Sequence, residues 1–322
     1  MNYFIFGGSG FIGTHLIDLI SQNNPNAVIF NLDILENSHG GKSRYVFCDV
    51  RNDISLSAKI SSEDMIFNLA AVHRTPGHPD YEYFETNIRG AENVCAFADK
   101  YGIKHMLFTS SIAPYGAAEN IKKEITLPTP NTPYGISKLV AEKIHQVWQS
   151  GNKERSLIIL RPGVVFGKGE NGNFTRLYWG IRKREFFYPG RKDTIKACIY
   201  VKELVNFALY RMTNDAPGTC EIFNCTFEPA FTIEQIVETM KEVTGLKRHV
   251  FKINGTFLKA IAAIAAPIGG KRLGIHPDRV KKLMISTNIS GVKLAETDYK
   301  FRYSFEEAIG DWFADNNNQC LR

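Results

Sequence analysis

No stretch of this 322-residue chain is long and apolar enough to span a bilayer as a helix. The longest apolar run, Ala260 to Ile268, is flanked by Lys259 and broken by Pro267. The apolar 257–268 stretch reads as a buried or lid helix, with a surface for lipid or an apolar ligand as the alternative. A disulfide framework is also missing. The six cysteines (Cys48, Cys95, Cys198, Cys220, Cys225 and Cys320) show no framework spacing, which implies reduced thiols and a cytoplasmic protein. Cys220 and Cys225 lie an odd number apart on an expected strand, so a regular strand sends them to opposite faces and no metal site is expected. Long blocks of one charge are absent too. Net charge is +6, and the densest spots are Arg182-Lys183-Arg184 and Lys281-Lys282. Scattered charge of this kind suits an anionic small molecule rather than a nucleic acid. Internal repeats and low-complexity segments do not occur, and the first expected strand begins almost at once, with no signal peptide ahead of it.

What is present begins at residue 7. Gly7-Gly8-Ser9-Gly10-Phe11-Ile12-Gly13 follows the apolar segment Tyr3-Phe4-Ile5-Phe6 and precedes Thr14 to Ile20, whose apolar residues recur at helical spacing. The glycines therefore sit in a strand-to-helix turn, where missing Cβ atoms let the backbone bend, approach a pyrophosphate and pack helix on strand. The spacing is G-x-x-G-x-x-G, and the helix start offers free N–H groups to phosphates. A second strand, 27–33, ends in Asp33, twenty residues past Gly13. A dinucleotide fold places its ribose-binding acid there, and a carboxylate at that point disfavours the extra phosphate of NADP.

Further strands are expected at 45–50, 65–71, 105–111 and 157–160, with helices at 81–101 and 133–150 between them. Alternation of this kind predicts an α/β fold with a doubly wound parallel sheet. From about Gly167 the pattern loosens into expected helices at 171–184, 201–213, 232–244, 255–266 and 304–315, with short strands near Cys198 and at 221–224. The division expected is a cofactor-binding domain over 1–166 and a smaller, mostly helical substrate lobe over 167–322, with some chain crossing back to the sheet.

Tyr134-Gly135-Ile136-Ser137-Lys138 opens one of the helices. A spacing of four stacks Tyr134 and Lys138 on one face, a turn apart. A tyrosine is a poor base near neutral pH unless a nearby cation stabilises its phenolate. With that help the pair suits general acid/base work on a hydroxyl-to-ketone step.

Taken in order, these segments resemble an extended short-chain dehydrogenase/reductase of the NAD-dependent nucleotide-sugar epimerase/dehydratase type. The residues that carry the resemblance are Gly7 to Gly13, Asp33, Cys48-Asp49-Val50, Asn68 to Ala71, Thr86 to Gly90, Ser110-Ser111 ahead of Tyr115-Gly116, Tyr134 to Lys138, Leu160 to Gly163 and Ile199 to Leu204. The resemblance implies NAD as cofactor, met by Gly7, Gly10, Phe11, Ile12, Gly13, Asp33, Asp49, Val50, Leu69, Ala70, Ala71, Tyr134, Lys138, Pro162 and Val164. It implies Ser111, Tyr134 and Lys138 as the catalytic set, with Asn87 as a support.

For substrate it points to Ser111 and Arg74, to Asn173 and Lys196 near the phosphates, and, on a looser match, to Arg279. His73 is a weaker candidate for a second base. Family dehydratases carry Asp-Glu directly after the residue matching Ser111; Ile112-Ala113 stand here, which argues against dehydration. Many relatives carry Arg-Asp where this chain has Lys196-Ala197, so the bidentate fork is lost. The expected activity is an NAD-dependent nucleotide-sugar 4-epimerase. A 4-keto reductase or dehydrogenase is the alternative, and a dinucleotide-sensing regulator is further off. The resemblance also implies a homodimer through helices 81–101 and 134–150.

Overall fold

The computed structural model describes residues 1–37, 39–73, 77–253 and 284–322. Arg74, Arg279 and the 257–268 stretch lie outside the described residues. In chain order the elements are β1 (Asn2–Phe6), α1 (Phe11–Asn23), β2 (Val28–Asp33), β3 (Arg44–Phe47), β4 (Met65–Asn68), α2 (Asp80–Tyr101), β5 (His105–Thr109), β6 (Ala118–Lys122), α3 (Pro133–Ser150), β7 (Ser156–Pro162) and β8 (Val164–Phe166). There follow α4 (Asn173–Arg182), β9 (Tyr188–Pro189), β10 (Ile195–Lys196), β11 (Cys198–Tyr200), α5 (Val201–Thr213), β12 (Cys220–Cys225), β13 (Phe231–Thr232), α6 (Ile233–Thr244), β14 (Lys252–Ile253), β15 (Thr287–Ile289), α7 (Val292–Ala295) and α8 (Phe305–Ala314).

Seven strands form one parallel sheet in the order β12-β7-β5-β4-β1-β2-β3. The order reverses between β1 and β4, which opens a crevice at the carboxyl ends of those two strands. The period-two pattern of β1 feeds both faces of the sheet. Tyr3 and Ile5 join Leu16, Ile17 and Ile20 of α1 and Leu204 and Phe207 of α5. Phe4 and Phe6 join Val94, Phe97 and Ala98 of α2 and Ala141 and Trp148 of α3. Parallel strands covered on both faces are largely apolar; every residue of β4 and β7 is buried, and the polar ones, Asn68, Ser156 and Arg161, are hydrogen-bonded.

Local chemistry sets the helix limits. Gly102 closes α2 in a left-handed conformation (φ 68°). Thr132 caps α3 by accepting the Gly135 amide, with Pro133 at the first helical position. Thr232 with Gln235 and Ser304 with Glu307 form capping boxes at α6 and α8.

The second half is built around aromatic packing: Phe166, Phe174, Tyr178, Phe305 and Trp312 with Ile236 and Met240. It holds more strand than the sequence pattern suggested; three of its strands join β6 of the first half in a four-stranded sheet ordered β13-β10-β15-β6. These strands are two to five residues long, too short for the two-residue strands to show a period. Cys220 and Cys225 stand at the two ends of β12, the first exposed and the second buried.

One buried imidazole ties the sheet to α3. His145 stacks on Phe108 with ring centroids 4.2 Å apart. Its Nδ1 donates to the Ala141 carbonyl at 2.7 Å, leaving Nε2 to accept from Asn68 Nδ2 at 3.1 Å. Burial pushes its pKa down to about 4. In the unfolded chain an imidazole takes a proton near 6.5, so between pH 6.5 and 4 the unfolded state binds the extra proton and stability falls with pH. His145→Gln should remove that contribution. The melting temperature of the variant should decline less steeply than that of the wild type over this window, and parallel declines would refute the assignment.

Candidate active site

The glycine turn links β1 to α1 at the crevice. Gly7 has φ 78° and its amide donates to the Leu32 carbonyl. A Cβ there would stand 2.8 Å from the Ala70 nitrogen, so the turn lies directly against the 69–71 segment. A Cβ on Gly13 would meet the Gly7 carbonyl oxygen and Gly8 Cα at 2.6 Å. Gly10 differs: it is exposed, and a Cβ there would have one near neighbour, the Gly7 carbonyl oxygen at 3.2 Å. No side chain caps α1 and no acid lies in its first turn, so its leading N–H groups remain for an anionic ligand. Phe11 and Ile12 lean on the aromatic core of the second half.

Asp33 ends β2 beside this turn. Its carboxylate accepts the Ser9 and Leu35 amides, each at 3.0 Å. Asp49 is held by Arg51 in a forked pair with contacts of 2.6 to 3.1 Å, and that guanidinium lowers its pKa. Val50 is buried under α2, where it faces Gly90. An apolar side chain and a carboxylate at the edge of the crevice, next to a carboxylate on the adjacent strand, suit an adenosine, and the open Gly10 position suits its diphosphate.

Tyr134 and Lys138 lie in the first and second turns of α3, against the end of β5. Ser111 stands beside Tyr134 and acts to lower its pKa. Lys138 is buried, donates from Nζ to the Thr109 carbonyl at 2.9 Å and lies 4.8 Å from the centre of the Phe108 ring. Burial raises the pKa of Tyr134, the Ser111 hydroxyl opposes that, and nearby Tyr83 adds to it. Burial also lowers Lys138 to about 7, with Glu142 acting in the opposite sense. Asn87 locks the surroundings: Oδ1 accepts the Val72 amide at 2.9 Å, and Nδ2 donates to the Val72 carbonyl and to Ser137 Oγ. The strand exit after β4 and the helix carrying Tyr134 are thereby fixed to one side chain.

Pro162 accepts the Ile112 amide through its carbonyl, and the Val164 amide donates to the Ala197 carbonyl, which places both beside the same strand ends. Lys196 donates from Nζ to the Ile285 carbonyl at 2.6 Å. Asn173 opens α4 and accepts from Arg176 at 2.9 Å. The sequence reading missed Glu142 and Arg161, a buried pair behind Lys138. The spacing of Tyr134, Lys138 and Glu142, four and four again, is the signal that marks Glu142 as part of the same face. Among the described residues no cluster of His, Cys, Asp or Glu is arranged to hold a metal ion, and no helix is long and apolar enough to cross a membrane.

These contacts separate two glycines by role. Gly13→Ala overpacks the turn and should lose about 1–3 kcal/mol of stability. Gly10→Ala meets almost nothing in the protein, so its melting temperature should stay close to that of the wild type while NAD binding weakens at least tenfold in a titration. Unchanged NAD binding by Gly10→Ala would remove the diphosphate from this turn.

Comparison with known proteins follows the same outline. The model of the family described as the NAD dependent epimerase/dehydratase family matches residues 3–226. The chain is 31% identical over 313 residues to an N-acetyl-alpha-D-glucosaminyl-diphospho-ditrans,octacis-undecaprenol 4-epimerase from Escherichia coli O157:H7, covering 96% of this chain and 93% of that one. It is 31% identical over 289 residues to a bifunctional UDP-glucose 4-epimerase and UDP-xylose 4-epimerase from Arabidopsis thaliana, covering 76% and 82%. Among solved structures, a UDP-N-acetylglucosamine 4-epimerase from Bacillus cereus superposes with a TM-score of 0.74 over 98% of this chain and 99% of that one, at 19% identity. The chain belongs to the NAD dependent epimerase/dehydratase family.

Proposed function

We propose that this protein is an NAD-dependent 4-epimerase of a hexopyranose carried on a diphosphate. The observation that carries the reading is the placement of Ser111 beside Tyr134, one helical turn from buried Lys138, at the same carboxyl end of the sheet as the glycine turn. The cofactor half is assigned to 1–166 and the substrate lobe to 167–322. The glycine turn, Asp33 and the 69–71 segment would hold NAD, which would supply a hydride acceptor and donor for the sugar carbon.

The chain's own residues do the rest. Ser111 holds the sugar hydroxyl beside Tyr134. Tyr134 accepts the hydroxyl proton as the ketone forms and gives it back as the ketone is reduced. Burial keeps the free phenol above its usual range, so the positive charge of Lys138 is needed to bring the phenolate within reach. The Asp33 carboxylate disfavours a 2′-phosphate, which supports NAD over NADP. Ile112 and Ala113 supply no acid pair for eliminating water. A reductase or dehydrogenase would use the same residues and differ only in a net change of cofactor.

Two carriers are in question. A nucleotide is the carrier named for the Arabidopsis and Bacillus proteins. A polyprenyl diphosphate is the carrier named for the Escherichia coli protein, whose match to this chain is nearly full length. The exposed apolar side chains Ile121, Ile125 and Leu127, with Lys122 and Lys123 among them, support the second. Incubation with UDP-N-acetylglucosamine and, separately, with a polyprenyl-diphosphate N-acetylglucosamine should convert one of them to its 4-epimer with no net NADH. Tyr134→Phe should lose about 10²–10⁴ in rate while still binding NAD. Net NADH formation would make the protein a dehydrogenase, and full activity of Tyr134→Phe would overturn the site.

The protein is also assigned as a homodimer. Ile136, Val140 and Val147 are exposed along one side of α3, and Val147 is 70% exposed. With Tyr81 on the neighbouring α2 they form an apolar strip that a second copy would cover. Sedimentation at micromolar concentration should show a dimer that Val140→Glu with Val147→Glu converts to monomer. A monomeric wild type would refute the assignment.

A further inference from the structure

Behind the reacting groups lies a chain of buried polar contacts that the acid/base step does not by itself require. Glu142 follows Lys138 by one helical turn and is fully buried. Its Oε1 accepts Ser110 Oγ at 2.5 Å and Arg161 Nε at 2.9 Å, and its Oε2 accepts Arg161 Nη2 at 2.6 Å. Arg161, on β7, donates from Nη1 to Tyr115 Oη at 2.7 Å, and its guanidinium lies over the Tyr115 ring at 4.9 Å. Tyr115 donates in turn to Asn224 Oδ1 at 2.9 Å, and Asn224 Nδ2 reaches the Ser290 carbonyl. A single set of contacts thus joins α3, β7, β12 and the segment after β15.

Stability alone is a weak reason for such a pair. Removing two charges from water costs several kcal/mol per ion, and well-packed apolar side chains of like volume are often as stable or more so. The position of the pair is more telling. Ser110 stands between Thr109, whose carbonyl holds Lys138, and Ser111, which stands beside Tyr134. Glu142 grips the middle residue of that tripeptide, while Lys138 of its own helix grips the first.

We propose that Glu142 is a positioning residue for the epimerisation. Held by the Arg161 fork, it fixes Thr109-Ser110-Ser111 against α3 so that Ser111 and Tyr134 keep their register, and its negative charge keeps the Lys138 ammonium in place. This rests on the assignment of Tyr134 and Lys138 as the acid/base pair.

Among the described residues, Glu142 and neutral His145 of α3 interact with Lys138 electrostatically, and the Thr109 carbonyl and Phe108 ring of β5 contact it. Arg161 of β7 is paired with Glu142. Tyr83 of α2 faces Tyr134 rather than the lysine. Burial pulls Lys138 down and Glu142 pushes it back up, so neutralising Glu142 lets the lysine lose its proton at lower pH. Above that pH the phenolate loses its supporting charge, and the alkaline limb of the rate profile moves down.

The test compares wild type, Glu142→Gln, Glu142→Asp, Ser110→Ala and Tyr134→Phe in one epimerisation assay across pH 5.5 to 9.5. Glu142→Gln should lower kcat tenfold or more with KM changed less than threefold, and its alkaline limb should shift down by at least half a pH unit. Glu142→Asp keeps the charge and should leave the limb at its wild-type pH. Ser110→Ala cuts the link to the tripeptide while keeping every charge, so it should lower kcat severalfold without moving the limb. It also provides the decisive variant should Glu142→Gln not fold. An equal fall of kcat at all pH values in Glu142→Gln, or an unchanged kcat in Ser110→Ala, would overturn the proposal. Should Tyr134→Phe be slow while Glu142→Gln matches wild type, the positioning role alone fails. Should Tyr134→Phe match wild type, the underlying site assignment fails.

Discussion

The reversal of strand order between β1 and β4 is the constraint on which the rest of the structure depends. Two neighbouring parallel strands that send their connections to opposite sides leave the space above their carboxyl ends uncovered. The glycine turn leaves β1 on one side of that space, and the 69–71 segment leaves β4 on the other. They meet at Gly7 and Ala70, closely enough that no side chain fits between them. The proposed contacts to the dinucleotide lie around this meeting point, and Thr109-Ser110-Ser111 leaves the end of the strand next to β4.

On the far side of the crevice α3 has two duties. One stripe, with Ala141 and Trp148, seals the sheet. The stripe beside it carries Tyr134, Lys138 and Glu142 at successive turns. Beyond half-buried Tyr134 this stripe is polar yet buried, and it is tolerated because each buried group finds a fixed partner: a strand carbonyl for the lysine, a guanidinium for the glutamate. Exposure falls along this face, from half-buried Tyr134 to Lys138 and Glu142 in the interior.

Much of this was legible in the sequence where the information is local. The glycine turn, the acid that ends β2 and the Tyr-x-x-x-Lys pair each declare themselves within a few residues, and α2 and α3 fall within a residue of their expected limits because Gly102, Thr132 and Pro133 mark them. The partners of Glu142 were not legible. Arg161 is 19 residues away along the chain, and the contact between Tyr115 and Asn224 spans 109. Such pairs are chosen by the packing of strands that no spacing rule connects. The two-residue strands β9, β10, β13 and β14 also lack any periodic signal. Lys196 could be ranked as a phosphate ligand from its position, but the Ile285 carbonyl that takes a hydrogen bond from it lies 89 residues onward.

The placement of β12 bears on how the chain is made. It is the last strand to be synthesised in the large sheet, yet it is the sole partner of β7 on that side, matching it residue for residue from Cys220↔Leu157 to Cys225↔Pro162. While a ribosome is still extending the chain through α4 and α5, β7 presents seven apolar or otherwise buried residues and an open row of amide and carbonyl groups to whatever is near. Nascent chains crowded on one messenger would meet edge to edge at that strand.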